Sequence, residues 1–195
     1  GVWKAVNYAH YPFPDSANGH KHGVAIFAKK IHDSGDIFFY GKQISESYQE
    51  YLLDRENNKL RSVLAWADIK NEKGETFKFI NTHLPVTKEG EVTSFQVEAV
   101  DDLLKALKHF PEFILCGDTN APRGRVSFDR IAEGYKDNIP LQYKTSIDQT
   151  LHRVKGIMFM VDGLFTTETY VAVNVRLVDG VSDHMAVVAE IKAIL

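Results

Sequence analysis

The run Cys116-Gly117-Asp118-Thr119-Asn120-Ala121-Pro122 places an acid and an amide two residues apart, directly after an apolar segment. In extended chain, side chains at that spacing share a face. Gly117 lets backbone or ligand come close, and Pro122 stops the strand, so Asp118 and Asn120 project at a rim open to solvent. A carboxylate in that position can orient or deprotonate water, and an amide can donate to a phosphate oxygen. Alone, Gly-Asp-X-Asn is equally the pattern of a plain Asx turn, so its meaning depends on what else the chain brings near it.

Three further segments supply candidates. Asn81-Thr82-His83-Leu84-Pro85 ends another extended run with an imidazole, which can donate to a phosphoryl oxygen or make a structural hydrogen bond. Val181-Ser182-Asp183-His184-Met185 sets an acid and a histidine just before the last β-forming run. Neighbours in a strand point opposite ways, so Asp183 and His184 serve one pocket only from a loop. There His184 suits acid–base work or charge stabilisation and Asp183 suits metal ligation, the plainer alternative being a solvated turn. Met160-Val161-Asp162-Gly163-Leu164 sinks one carboxylate into an apolar stretch, where an unpaired charge is costly. Among these residues His184 is its natural partner, because a carboxylate orients imidazole and favours the charged form. A structural Asp–backbone network is the alternative.

These residues need strands to carry them. β-Forming runs fall at 23–28, 36–40, 62–69, 76–84, 113–117, 157–165, 170–178 and 185–192, and the polar, glycine-containing link 71–74 predicts a hairpin. Between 93 and 110 the apolar residues Phe95, Ala99, Leu103, Leu107 and Phe110 recur at three or four residues. That spacing predicts an amphipathic helix, with Thr93 or Ser94 as N-cap and Pro111 just past its end. A shorter helix is predicted over 126–133, with Gly134 as its stop. Strands interleaved with two helices imply an α/β sandwich, and the absence of repeats or a linker implies one domain.

Composition is permissive. The 195 residues are 44% hydrophobic and 25% charged with a formal charge of −3, ordinary for one buried core and without a general field for polyanions. A nucleic-acid scaffold would draw on Lys29-Lys30 and Arg123-Gly124-Arg125, groups that also read as solvated charges. The single cysteine, Cys116, excludes a disulfide framework and reads as a small buried hydrophobe. No apolar run reaches the roughly 18 residues that cross a bilayer.

In order and spacing, Gly23-Val24-Ala25-Ile26, Arg61-Ser62-Val63-Leu64, Asn81-Thr82-His83-Leu84, Gly117-Asp118-Thr119-Asn120, Val161-Asp162-Gly163-Leu164 and Ser182-Asp183-His184 resemble the endonuclease/exonuclease/phosphatase superfamily, which includes deoxyribonuclease I. The resemblance implies an α+β, four-layer αββα sandwich and a phosphoesterase that uses Mg²⁺ or Mn²⁺. It implies that Arg61, His83 and Asn120 contact the scissile phosphate and that Asp118 activates the attacking water. It further implies that Asp162 and His184 form a carboxylate–imidazole pair and that Asp183, Asp118 and Asn120 serve the metal. Family members open with a strand bearing a metal-site Asn and, downstream, a Gln-Glu pair; neither motif is in this sequence, so the resemblance sets residue 1 after both. A phosphoester, within a nucleic acid or a phospholipid headgroup, is the implied partner, and a non-catalytic phosphate-binding module is the competing reading.

Overall fold

The computed structural model of the chain describes residues 4–12, 21–40 and 62–194. In chain order the strands are β1 (Lys4–Pro12), β2 (Lys21–Ala28), β3 (Ile31–Tyr40), β4 (Ser62–Lys70), β5 (Thr76–His83), β6 (Ile114–Asp118), β7 (Lys136–Asp137), β8 (Asp162–Thr166), β9 (Tyr170–Val178) and β10 (Ala186–Ala193). Two α-helices join them, α1 (Ser94–Leu107) and α2 (Val126–Gly134).

The β4–β5 hairpin turns where the sequence places it. Asn71 N–H donates to Glu75 O at 3.0 Å and Gly74 N–H to Asn71 O at 3.1 Å, with Gly74 at φ 85°. After β5 the chain crosses through α1 and returns parallel, the connection a parallel pair requires. The result is a six-stranded sheet in the order β3-β4-β5-β6-β8-β7, in which β5–β6 is the parallel step. β1–β2 and β9–β10 are separate antiparallel ribbons.

Side-chain alternation sends the central sheet into two cores. Leu64, Ile80, Leu115 and Phe165 pack beneath the helices with Ala99, Leu103 and Leu107 of α1 and with Phe128 and Ile131 of α2. The opposite parity faces the ribbons: Val63, Ala65 and Ala67 meet Val24 and Ile26 of β2, and Ile114 and Leu164 join Tyr170 of β9. Strands buried on both faces lose the apolar–polar alternation of a surface sheet, which is why the β4 sequence Ser62-Val63-Leu64-Ala65 is nearly continuous in buried residues. The described residues thus build helices, a mixed sheet and a second β layer, the α+β sandwich the resemblance implies.

Helix α1 starts where predicted, the Thr93 hydroxyl accepting from Gln96 N–H at 3.4 Å. Its buried stripe is displaced from the expected one. Gln96 rather than Phe95 lies fully inside, because its amide is tied to the loop after β6. The predicted strand at 157–165 shrinks to Asp162–Thr166. Residues 159–161 instead give their carbonyls to Ser146, Arg123 and Thr119, which holds them straight without a ladder. No helix of the described residues is long and apolar enough to cross a membrane.

Candidate functional site

Three strand ends meet at one rim. β5 ends at His83, β6 ends at Asp118 and β8 begins at Asp162. The ladder registers pair His83 with Asp118 and Asp118 with Asp162, so the three stand in one row across the sheet, about 4.8 Å from strand to strand. All three share the parity that faces the ribbons. His184 reaches the row from the loop before β10, where its backbone bridges to Ile147.

The row contains two His–Asp pairs. His184 Nδ1 lies 2.7 Å from Asp162 Oδ2, and His83 Nε2 lies 3.4 Å from Asp118 Oδ2. The hydrogen bond to Asp162 lifts the His184 imidazole to about 9, well above its ordinary 6.5, against the opposing effect of burial. His83 is raised too, first by its hydrogen bond with Asp118. Both rings therefore favour the charged form, which donates from each nitrogen.

Gly117 makes the row possible. It pairs with Thr82 one step behind His83 and Asp118, at φ 144°, and a Cβ there would lie 2.0 Å from the Thr82 carbonyl oxygen. Only glycine admits so close an approach of β5 to β6. Beyond Asp118, Asn120 takes a left-handed conformation at φ 48°, which asparagine tolerates. Its N–H donates to Asp118 Oδ1 at 2.8 Å, its side chain donates to Leu84 O at 2.9 Å, and its carbonyl accepts from Gln96 Nε2 at 2.9 Å. Asp118 thus divides its oxygens, Oδ1 holding the turn and Oδ2 facing His83.

Asp118, Asp162 and His184 each present a ligand atom within 4.8 Å of the others. Two carboxylates suit a hard cation such as Mg²⁺, which commonly takes one or two from protein and fills its octahedron with water and phosphate. His184 can join only by giving up a proton. The donor set therefore fits one divalent ion. Asp183, expected from sequence beside Asp118 and Asn120, has an exposed side chain and stands outside that group, although its charge contributes to raising His184. Arg61 lies outside the described residues.

Other polar residues are structural. Arg123, read from sequence as a solvated charge, is half-buried against Asp137 at 2.7 Å and donates to Ile139 O at 3.0 Å. Tyr135 packs edge-on against Phe113 at 4.8 Å, and Tyr143 packs beside the ribbon core. Burial pushes the Cys116 thiol up to about 12. It floors a cavity of about 280 Å³ whose opposite wall is Val187, Ala189 and Ile191 of β10 and which Asp162 borders.

Sequence reasoning did not single out Ser146 and Asp148. Their hydroxyl and carboxylate lie in a polar loop, and their only signal is the Thr-Ser-X-Asp pattern of hydroxyl and acid, common to ordinary turns.

No family model and no curated protein matches the chain. Solved structures do. An endonuclease/exonuclease/phosphatase from Bacteroides vulgatus superposes with a TM-score of 0.68 at 15% identity, over 98% of this chain and 76% of that one. The mannosyl-6-phosphatase Bt3783 of Bacteroides thetaiotaomicron gives 0.66 at 16% identity, over 97% and 77%. The human Nocturnin catalytic domain, solved with a bound sulfate anion, gives 0.67 at 17% identity, over 98% and 72%. At these identities the likeness is one of architecture, and the chain has the α+β fold of the endonuclease/exonuclease/phosphatase proteins.

Proposed function

We propose that the chain forms the greater part of a divalent-metal-dependent phosphoesterase that hydrolyses a phosphodiester or phosphomonoester by in-line attack of water. The observation that carries this reading is the single row His83, Asp118, Asp162, completed by His184, in which two carboxylates each hold an imidazole. Asp118 Oδ2 orients the attacking water and takes up its proton. His83 and His184 donate to the phosphoryl oxygens as charge builds on them, and Asp162 keeps His184 charged and aimed. Asn120 fixes the Asp118 carboxylate, and Arg61, outside the described residues, is the further phosphate contact that the resemblance implies. Asp118 and Asp162 would hold Mg²⁺ or Mn²⁺, with Asn120 and Asp183 as the further ligands the resemblance implies, and the ion would supply Lewis-acid neutralisation of the phosphate charge.

Two features of the neighbours agree with this chemistry. One is a mannosyl-6-phosphatase, and another holds sulfate, an anion of phosphate's shape. Among the described residues β2 is paired only to β1 and β10 only to β9, and the cavity lies along β10.

A panel of nucleic acid, phosphosugar, phospholipid and nucleotide esters with Mg²⁺ and Mn²⁺ tests the reading. Asp118→Asn and His184→Ala should each lower turnover by on the order of 10²–10³. Metal-dependent hydrolysis that survives both changes removes the assignment. The competing binding module predicts phosphoester binding indifferent to chelator, with no turnover.

A further inference from the structure

The Asp162–His184 pair joins the first residue of β8 to the loop before β10, and a third segment ties the two together. Ser146 is fully buried, and its hydroxyl oxygen accepts from the N–H groups of both Val161 and Asp162 at 3.1 Å. Its carbonyl accepts from Met185 N–H at 2.7 Å, one residue past His184. Ile147 bridges to His184 backbone to backbone. Asp148, 1% exposed, accepts through Oδ1 from Thr150 and Leu151 N–H at 2.7 and 2.8 Å, and through Oδ2 from Gly180 N–H at 2.7 Å. Its own N–H donates to Asp183 O at 3.0 Å, and its carbonyl accepts from His152 N–H at 2.9 Å. The His152 ring then packs edge-on against the His184 ring, with centroids 6.3 Å apart.

We infer that Ser146, Ile147 and Asp148 form a clasp that positions His184 against Asp162, with Ser146 and Asp148 as positioning residues. A 2.7 Å imidazole–carboxylate bond between a strand end and a loop survives thermal motion only if both backbones are fixed to a common frame; Asp162, first residue of β8, has the β6 ladder on one side, whereas His184 lies in the loop before β10. Ser146 fixes the Asp162 side, and Asp148 fixes the His184 side through Gly180 and Asp183. A buried carboxylate with backbone donors on both its oxygens has no freedom to act on substrate. Its position two residues from Ser146 joins the two sides rigidly. The inference rests on the proposed phosphoesterase for its catalytic consequence, but the positioning itself is independent of any activity.

Asp148→Asn removes the side-chain tie of the clasp to the His184 loop. The amide keeps an oxygen for Thr150 and Leu151 and turns its nitrogen toward Gly180 N–H, so the local turn and the backbone pairing to Asp183, His184 and Met185 stay and the tie to Gly180 is cut. Ser146→Ala cuts the Asp162 side alone. Long-range ¹H–¹⁵N correlations at pH 7, with the His184 signals assigned by their loss in His184→Ala, read whether the imidazole is held. The wild-type chain should give separate, sharp Nδ1 and Nε2 signals, which shift and broaden in both variants while far-UV circular dichroism is unchanged. In the active polypeptide kcat should fall about 10- to 100-fold with KM little changed, the usual loss when a partner that orients a catalytic group is removed. A folded Asp148→Asn variant whose His184 signals match wild type overturns the inference. If that variant does not fold, Ser146→Ala decides by the same criterion. Absence of turnover in the wild type would sink the phosphoesterase reading alone, because the spectra decide the clasp without it.

Discussion

Asp118 and Asp162 stand directly opposite each other in the β6–β8 ladder, and each holds an imidazole on its outer side, His83 for Asp118 and His184 for Asp162. Two like charges on paired strands repel, and the two cationic rings offset that repulsion. Removing either acid therefore takes from its ring a hydrogen-bonded counter-charge. Asp162→Asn should bring the His184 pKa down from about 9 toward its ordinary 6.5, and lower kcat on the order of 10²–10³ with a smaller effect on KM. Histidine NMR titration and steady-state kinetics on the same preparation check both. A His184 pKa unmoved by the substitution would show that Asp162 is not what raises it.

Stability should fall with rising pH in a defined window. The unfolded imidazole of His184 titrates near 6.5, and in the fold its hydrogen bond to Asp162 raises it to about 9. The native state thus holds this proton more tightly, so the stabilisation is complete below about 6.5, declines above it, and is lost once pH passes about 9. His83, raised by Asp118, acts in the same direction. Melting temperatures in chelator across that window should decline, and His184→Gln should flatten most of the slope.

Gly117→Ala tests the approach of β5 to β6. The added methyl would sit 2.0 Å from Thr82 O, so the strands must part just behind His83 and Asp118. A loss of at least about 1–3 kcal/mol is expected, the scale of a strained backbone position. Urea denaturation measures it. An alanine variant as stable as wild type would mean that the strands relax without cost.

Divalent ions should stabilise the fold through Asp118 and Asp162. At an ion concentration of 100 times Kd the gain is about 2.7 kcal/mol, and chelator reverses it. Differential scanning with Mg²⁺ or Mn²⁺ reads the gain directly. Asp118→Asn and Asp162→Asn should each remove most of it; an undiminished shift in both variants would place the ion elsewhere.

Phe165→Ala should cost about 3–5 kcal/mol, measured by the same denaturation. The ring is fully buried, lies 5.2 Å from Phe128 of α2, and belongs to the core on the sheet face away from the site.

Strongly patterned segments were legible from sequence. β9 runs over Tyr170–Val178 as its alternation predicts, and α1 begins at its Thr93 cap. β3 was half visible. Its first part, Ile31-His32-Asp33-Ser34-Gly35, is too polar to read as a strand, and backbone pairing with β4 makes it one. β1 went unread for a related reason, since its pairing with β2 is specified by a partner and not by its own pattern. The acids and histidines of the row could be named because their motifs are local. Their assembly was less visible, because register across three strands is a tertiary fact, and because Ser146 and Asp148 act by accepting backbone N–H groups, which leaves no mark in residue type. Arg123 shows the converse: its charge suggests solvent, and Asp137, on a strand fourteen positions later, together with the Ile139 carbonyl explains its burial.

The lone thiol gives the molecule an internal gauge. Cys116 lines the space between the central sheet and β10, and at a pKa of about 12 it is almost entirely in its unreactive protonated form. Cys116 keeps partial exposure, so alkylation is slowed by the scarcity of thiolate rather than closed off. Its rate would register whether something has come to fill the space beside Asp162.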